Sequence, residues 1–152
     1  MALRVSTGFR DKLMTPAADG GKSWAELLDG GIIRIYSGAQ PADADAVETG
    51  DLLVKITKDG AVLPGGGLEF GNATAGKIEK PSADDWKGTA IADGTAGWFR
   101  FYDSSETAGA STTAVRFDGR VATSGGELRV VTTTIADGSN QVIANFSIEF
   151  PA

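Results

Sequence analysis

The apolar positions of this chain change their spacing near residue 30. Before it they recur every three or four residues; after it they alternate with polar ones or form short runs. The first pattern predicts a helix within residues 1–15, with Ser6 or Thr7 as N-cap and Phe9, Leu13 and Met14 near one face. Thr15-Pro16 stops it, because the residue before proline is pushed out of the α region. Residues 17–21 read as a loop. A second short helix is written in SWAELLD, where Ser23 caps, Glu26 completes a capping box and Trp24, Leu27 and Leu28 form the apolar face. Gly30-Gly31 ends it by supplying left-handed positions.

From Ile32 onward the pattern is that of strands. Ile32–Ser37 and Leu52–Thr57 are clear, Leu68–Phe70 is short, and Ala75–Lys80 suits an edge. Ala114–Phe117 and Arg120–Thr123 are expected to fold on an Asp118-Gly119 turn. Two longer stretches predict hairpins. Trp86–Asp103 is expected to fold on Asp93-Gly94, since both central residues of a type I′ turn need positive φ. In its second arm Trp98, Arg100 and Tyr102 point one way, and Phe99 and Phe101 the other. Large groups on both faces place this arm centrally in a sheet or in a contact between subunits. Glu127–Ile135 is expected to pair with Gln141–Phe150 across Asp137-Gly138. Val142, Ala144, Phe146, Ile148 and Phe150 would line the buried face, with Asn145, Ser147 and Glu149 in solvent. Loops 38–51 and 104–113 read as exposed surface, the first of them mobile. IADGTA at 91–96 and IADGSN at 135–140 read as two turns of the same chemistry.

The expected fold is therefore mainly β, an antiparallel β-sandwich (jelly-roll or Ig-like) of roughly eight to ten strands. One or two short helices stand at its N-terminus. Residues 1–30 form a helical segment or arm and residues 31–152 the sandwich, one domain overall, as the 152-residue length also indicates. The first helix either packs over one end of the sheet or docks as an arm on a neighbouring subunit.

Composition narrows the chemistry. The chain has no cysteine and no histidine, which removes disulfides, thiolate chemistry, Ser-His-Asp and Cys-His arrangements and histidine-containing zinc sites. Twenty acidic against fourteen basic residues give a net charge of −6, which argues against a nucleic-acid surface. No apolar run approaches the ~20 residues of a membrane helix. MALRVSTGFRDKLM has neither an apolar core nor a small-residue cleavage site, so no signal peptide is expected there.

Four candidate sites have plainer readings. Gly21-Lys22-Ser23 resembles the tail of a phosphate loop, but the required upstream glycine is Pro16. Asp43, Asp45, Glu48 and Asp51 resemble a calcium loop that lacks its ligand at position 5 and its glycine; an acidic solvated loop explains them. Asp84 and Asp85 are the obvious carboxylate pair for glycosidase chemistry, yet neighbours in a connector rarely converge on one substrate. Trp98, Phe99, Phe101 and Tyr102 have only Arg100 interleaved, so packing explains them better than stacking on bases or sugars. No cofactor or metal is expected.

The segments GGIIRIYSGAQPADADAVETGDLLVKIT, WKGTAIADGTAGWFRFYD, STTAVRFDGRVATSGGELRVVTTTI and QVIANFSIEFPA, with LRVSTGFRDKLM before them, resemble a family of virion structural proteins from tailed bacteriophages and prophages. The resemblance spans nearly the whole chain and carries no catalytic motif. It implies a non-enzymatic protein of the virion, assembled in the bacterial host cytoplasm: first a capsid decoration (cement) protein, alternatively a tail, collar or neck component. The implied partners are the major capsid protein or other virion proteins and further copies of the chain, a trimer being one candidate, with no nucleic acid and no membrane. Interface candidates are Phe9, Leu13, Trp24, Trp86, Trp98, Arg100 and Tyr102, because aromatics and arginine are enriched in buried interface cores.

Overall fold

The structure is a computed structural model that describes residues 3–15 and 20–149. Pro16, the loop at 17–19, and Phe150 and Pro151 at the end of the last predicted strand lie outside the described residues. The described chain is mainly β. It runs β1 (Arg4–Val5), α1 (Thr7–Met14), α2 (Trp24–Leu28), β2 (Ile32–Ser37), β3 (Leu52–Lys58), β4 (Lys77–Glu79) and β5 (Trp86–Thr89). It continues through β6 (Gly94–Tyr102), β7 (Arg116–Ala122), β8 (Leu128–Arg129), β9 (Thr134–Ile135), β10 (Asn140–Ile143) and β11 (Ser147–Glu149).

Both helices start where the sequence predicts. Ser6 caps α1, its Oγ accepting the Phe9 amide at 3.2 Å. Ser23 and Glu26 close the capping box of α2. The N-terminal segment packs on the chain's own sheet: β1 pairs with β7, the Ser6 hydroxyl donates to Ala114 O at 2.8 Å, and Phe9 is fully buried. Of the predicted apolar face, Met14 is exposed.

Nine strands form one sheet, ordered β1-β7-β6-β2-β3-β5-β10, with β8 beside β7 and β9 beside β6. Every pairing is antiparallel except β7 with β8. β11 and β4 form a separate two-stranded sheet. Register aligns two adjacent rows across the large sheet. One row reads Ile56, Ile33, Phe101, Phe117 and Val5. The next reads Lys55, Arg34, Arg100, Asp118 and Arg4. Neighbouring residues of a strand face opposite ways, so one face is apolar and the other charged.

The apolar face is the core. Phe146 meets Trp86, Phe99 and Phe117 with ring centroids 6.0, 5.8 and 6.3 Å apart, and Phe70 stacks on Phe101 at 5.5 Å. Ile78 of β4 and Ile148 of β11 enter the same cluster, so the small sheet helps to close it. Each such side chain contributes roughly 1.5–3 kcal/mol by leaving water.

Both long hairpins predicted from Asp-Gly pairs are absent. β5 lies between β3 and β10, whereas β6 lies between β2 and β7. Neither Asp93 nor Gly94 has the positive φ that a type I′ turn needs; Gly94 instead opens β6, opposite Ile135. At Asp137-Gly138 the chain does turn, with Gly138 at φ 76° and Ser139 N donating to Ala136 O at 3.0 Å. Its arms then part, β9 to β6 and β10 to β5. The two IADG segments thus run antiparallel against each other. Ala90 N donates to Ser139 O at 2.8 Å, Gly138 N to Ala90 O at 2.9 Å and Asp137 N to Asp93 Oδ1 at 2.8 Å.

Three further expectations fail. The chain leaves the large sheet after Ile143 to join β4, and exposed residues 144 and 145 flip the alternation. Ile143, Phe146 and Ile148 are therefore buried, while Val142 and Ala144 face solvent. Asp118-Gly119 is not a turn: β7 runs straight through it. A Cβ on Gly119 would sit 2.5 Å from Phe99 Cε1, so glycine there makes room for a core ring. The Leu68–Phe70 stretch makes only a single bridge, Leu68 to Gly31.

Candidate functional site

The charged face of the sheet is the part of the molecule where most chemistry-bearing side chains meet. β2 supplies Arg34 and Tyr36, β6 supplies Trp98, Arg100 and Tyr102, and β7 supplies Arg116 and Asp118, each at alternate positions. Arg100, Arg116 and Asp118 are fully buried. What buries them is the two loops expected to be exposed. Segments 38–51 and 103–115 lie over this face through Ala44, Asp45, Ala46, Glu48, Thr107 and Gly109; most of their other residues remain exposed, as expected, but Glu48 turns inward onto the cations beneath.

Asp118 and Arg100 form a two-bond pair, with Arg100 Nε donating to Oδ1 at 2.6 Å and Nη2 to Oδ2 at 2.8 Å. Burial pushes the Asp118 carboxyl up from its ordinary value, and the bonds and charge of Arg100 with the charge of Arg116 work against that rise. Arg100 Nη1 reaches the covering loop, donating to Ala46 O at 2.9 Å and Glu48 Oε1 at 3.0 Å. Glu48 also accepts the Tyr102 hydroxyl at 2.6 Å and the Gly109 amide at 2.9 Å, which ties the two loops together. The Tyr102 proton is thereby spent, so Tyr36, 3.0 Å away, is the donor in their hydroxyl pair. Arg116 is satisfied by carbonyls of Ala44, Asp45 and Thr107. Trp98 stacks on Tyr36 at 4.6 Å and donates to Thr49 O at 3.1 Å. At the open side Glu106 joins Arg34, whose Nε donates to it at 2.9 Å, and Lys55 at 3.1 Å.

The electrostatics follow from this geometry. Burial alone would raise the Glu48 carboxyl, but Tyr102, the Gly109 amide and the charge of Arg100 hold it down at about 2. Burial raises the Tyr102 hydroxyl, and Glu48 and Tyr36 raise it further. Arg116 is lowered by burial first and by the neighbouring Arg100 second. Burial works against the charge on Arg100, yet Asp118 raises its pKa above the ordinary value. A buried network this fully paired clamps loops to a sheet.

The candidate sites of the sequence are spent in the same way. Asp45 caps α1, accepting Thr7 N at 2.8 Å and Thr7 Oγ1 at 2.5 Å, while Asp43 Oδ1 accepts the amides of Asp45 and Ala46. With Glu48 engaged as above, these acids hold protein donors. Among the described residues no group of three or more acids is placed to hold a metal ion. Asp84 and Asp85 turn to different lysines, Lys58 at 3.3 Å and Lys87 at 3.5 Å, and do not face one another across a cleft. Ser23 serves α2 as a cap, leaving Gly21-Lys22-Ser23 as a loop.

The seven interface candidates separate by depth. The side chains of Phe9, Trp86, Trp98, Arg100 and Tyr102 are buried within the single chain and are not open to a partner in this arrangement. Trp86 packs among Phe70, Phe101 and Phe146, and Trp98 lies under loop 38–51. Leu13 and Trp24 are half-buried. Sequence reasoning missed Asp118 and Glu48 as partners of Arg100. The available signal was charge complementarity between the alternating cations of the strands and the acids of loop 38–51. No protein-family model, curated protein or solved structure matches this chain.

Proposed function

We propose that the chain is a non-enzymatic structural protein of a tailed-bacteriophage virion, most simply a capsid decoration (cement) protein that binds the major capsid lattice as a homo-oligomer. The observation that supports this reading is the clamping of both long loops onto the sheet by the Arg100–Asp118–Glu48 network. It yields a domain whose central strand is covered on both faces and whose loops are held in one arrangement. Such pre-organisation lowers the ordering cost of binding to a repeating surface. The segment-by-segment resemblance supplies the virion context, and no helix of the described residues is long and apolar enough to cross a membrane.

Electron cryomicroscopy of purified particles from the phage that encodes the chain tests the reading. Density for this domain in many copies on the head lattice is the expected result. Density confined to the tail, collar or neck would replace decoration with the alternative. Absence from the particle would refute both.

A further inference from the structure

Beside α2 lies a cavity of about 510 Å³, within the roughly 300–1,000 Å³ of small-ligand sites. Trp24 and Phe70 line it, together with Ile78 and Ile148 of the small sheet and the polar groups of Glu26, Asp29 and Asn72. Its aromatic walls are braced from behind. Trp24 meets Phe9 edge-on at 4.8 Å, and Phe70 stacks on Phe101 and meets Trp86 edge-on, both at 5.5 Å. The carboxylates are placed as well. Glu26 is fixed by the capping box, its Oε2 accepting Ser23 N at 2.7 Å, and both Glu26 and Asp29 are open to solvent.

The cavity is short of positive charge. Among the described residues none that lines it is Lys or Arg. Lys22 acts on Glu26, and Lys58 is shared between Glu69 and Asp84. Burial raises the Asp29 pKa first, the Phe70 backbone lowers it, and the like charges of Glu69 and Glu26 raise it again. A neutral guest would leave that repulsion in place, whereas a cation with an apolar stem matches both the carboxylates and the rings.

We propose that this cavity receives an arginine or lysine side chain of a partner protein, its charge on Asp29 beside Glu26 and its methylenes against Trp24 and Phe70. This goes beyond the virion reading and does not depend on it. The test uses the full chain and two small probes, Nα-acetyl-arginine methylamide and its neutral isostere Nα-acetyl-citrulline methylamide. The Trp24 indole resonance is assigned with the Trp24→Phe variant and followed by NMR. A saturable shift with the arginine probe is expected, with dissociation roughly in the millimolar range for a single side chain. The citrulline probe, and Asp29→Asn with the arginine probe, should bind roughly five- to tenfold more weakly. An unchanged amide spectrum elsewhere confirms that Asp29→Asn keeps the fold. Equal binding of both probes, equal binding by Asp29→Asn, or no saturable shift would each overturn the proposal.

Discussion

Asp118→Ala is the sharpest test of how this protein is held together. The substitution removes both acceptors of a guanidinium with no exposure, at 2.6 and 2.8 Å, and leaves Arg100 charged inside the protein. Breaking a buried pair from one side costs about 3–5 kcal/mol. Arg100 keeps Ala46 O and Glu48 through Nη1, which places the loss at the lower end, about 3 kcal/mol. At this chain length that lowers the melting temperature by roughly 6–12 °C. Urea unfolding followed by tryptophan fluorescence measures it, since Trp98 lies under the clamped loop and Trp86 in the core. The companion variant Arg100→Met/Asp118→Leu removes both charges and should be more stable than Asp118→Ala alone, because the fully buried guanidinium is gone and Glu48 keeps Arg116 at 4.0 Å and the Tyr102 hydroxyl. A loss below about 1 kcal/mol for Asp118→Ala would mean that water or another group satisfies Arg100, and would refute the argument. So would single losses for Arg100→Met and Asp118→Leu that merely add in the double variant.

Further outcomes follow from the same geometry. Glu48 sits near 2 in the folded protein against an ordinary 4.5; such a lowered carboxyl stabilises the fold above the higher value and loses that contribution as pH falls toward the lower. Acid titration of stability should therefore decline between about pH 4.5 and 2, and Glu48→Gln should flatten that decline while lowering stability at neutral pH. Gly119→Ala should cost about 1–3 kcal/mol in urea unfolding, as its Cβ would collide with the Phe99 ring. Phe146→Ala should cost about 3–5 kcal/mol by the same measurement, since Phe146 touches four aromatic rings.

Local signals were legible in the sequence wherever the deciding interactions are local. Ser6, Ser23 and Glu26 cap their helices through bonds spanning three residues, so their spacing was enough. β2 and β3 were visible because β-branched runs bounded by polar loops select extended backbone regardless of their partners. The two-faced character of β6 could be read from alternation alone; that reading left a central strand or a subunit contact open, and the strand order makes it central. Pairing was a different matter. An Asp-Gly dipeptide permits a tight turn but does not compel one, and the competing options lie far away in the chain. At 93–94 the ladder to β2 and β7 prevails. At 118–119 the pair supplies an anion for Arg100 and a gap for Phe99, neither of which is near in sequence. Loop 38–51 looked like solvated surface because its acids have no cations beside them in the chain. Only the assembled sheet puts Arg100 and Arg116 under it: Arg100 meets Glu48 across 52 residues and Arg116 meets the Ala44 carbonyl across 72, in surroundings where water screens little. Sequence alone thus determined the two helix starts, the strands β2, β3 and β6 and the mainly β class. Tertiary structure decided which strands adjoin and which charges meet, because long-range pairing depends on what all the other segments offer at once.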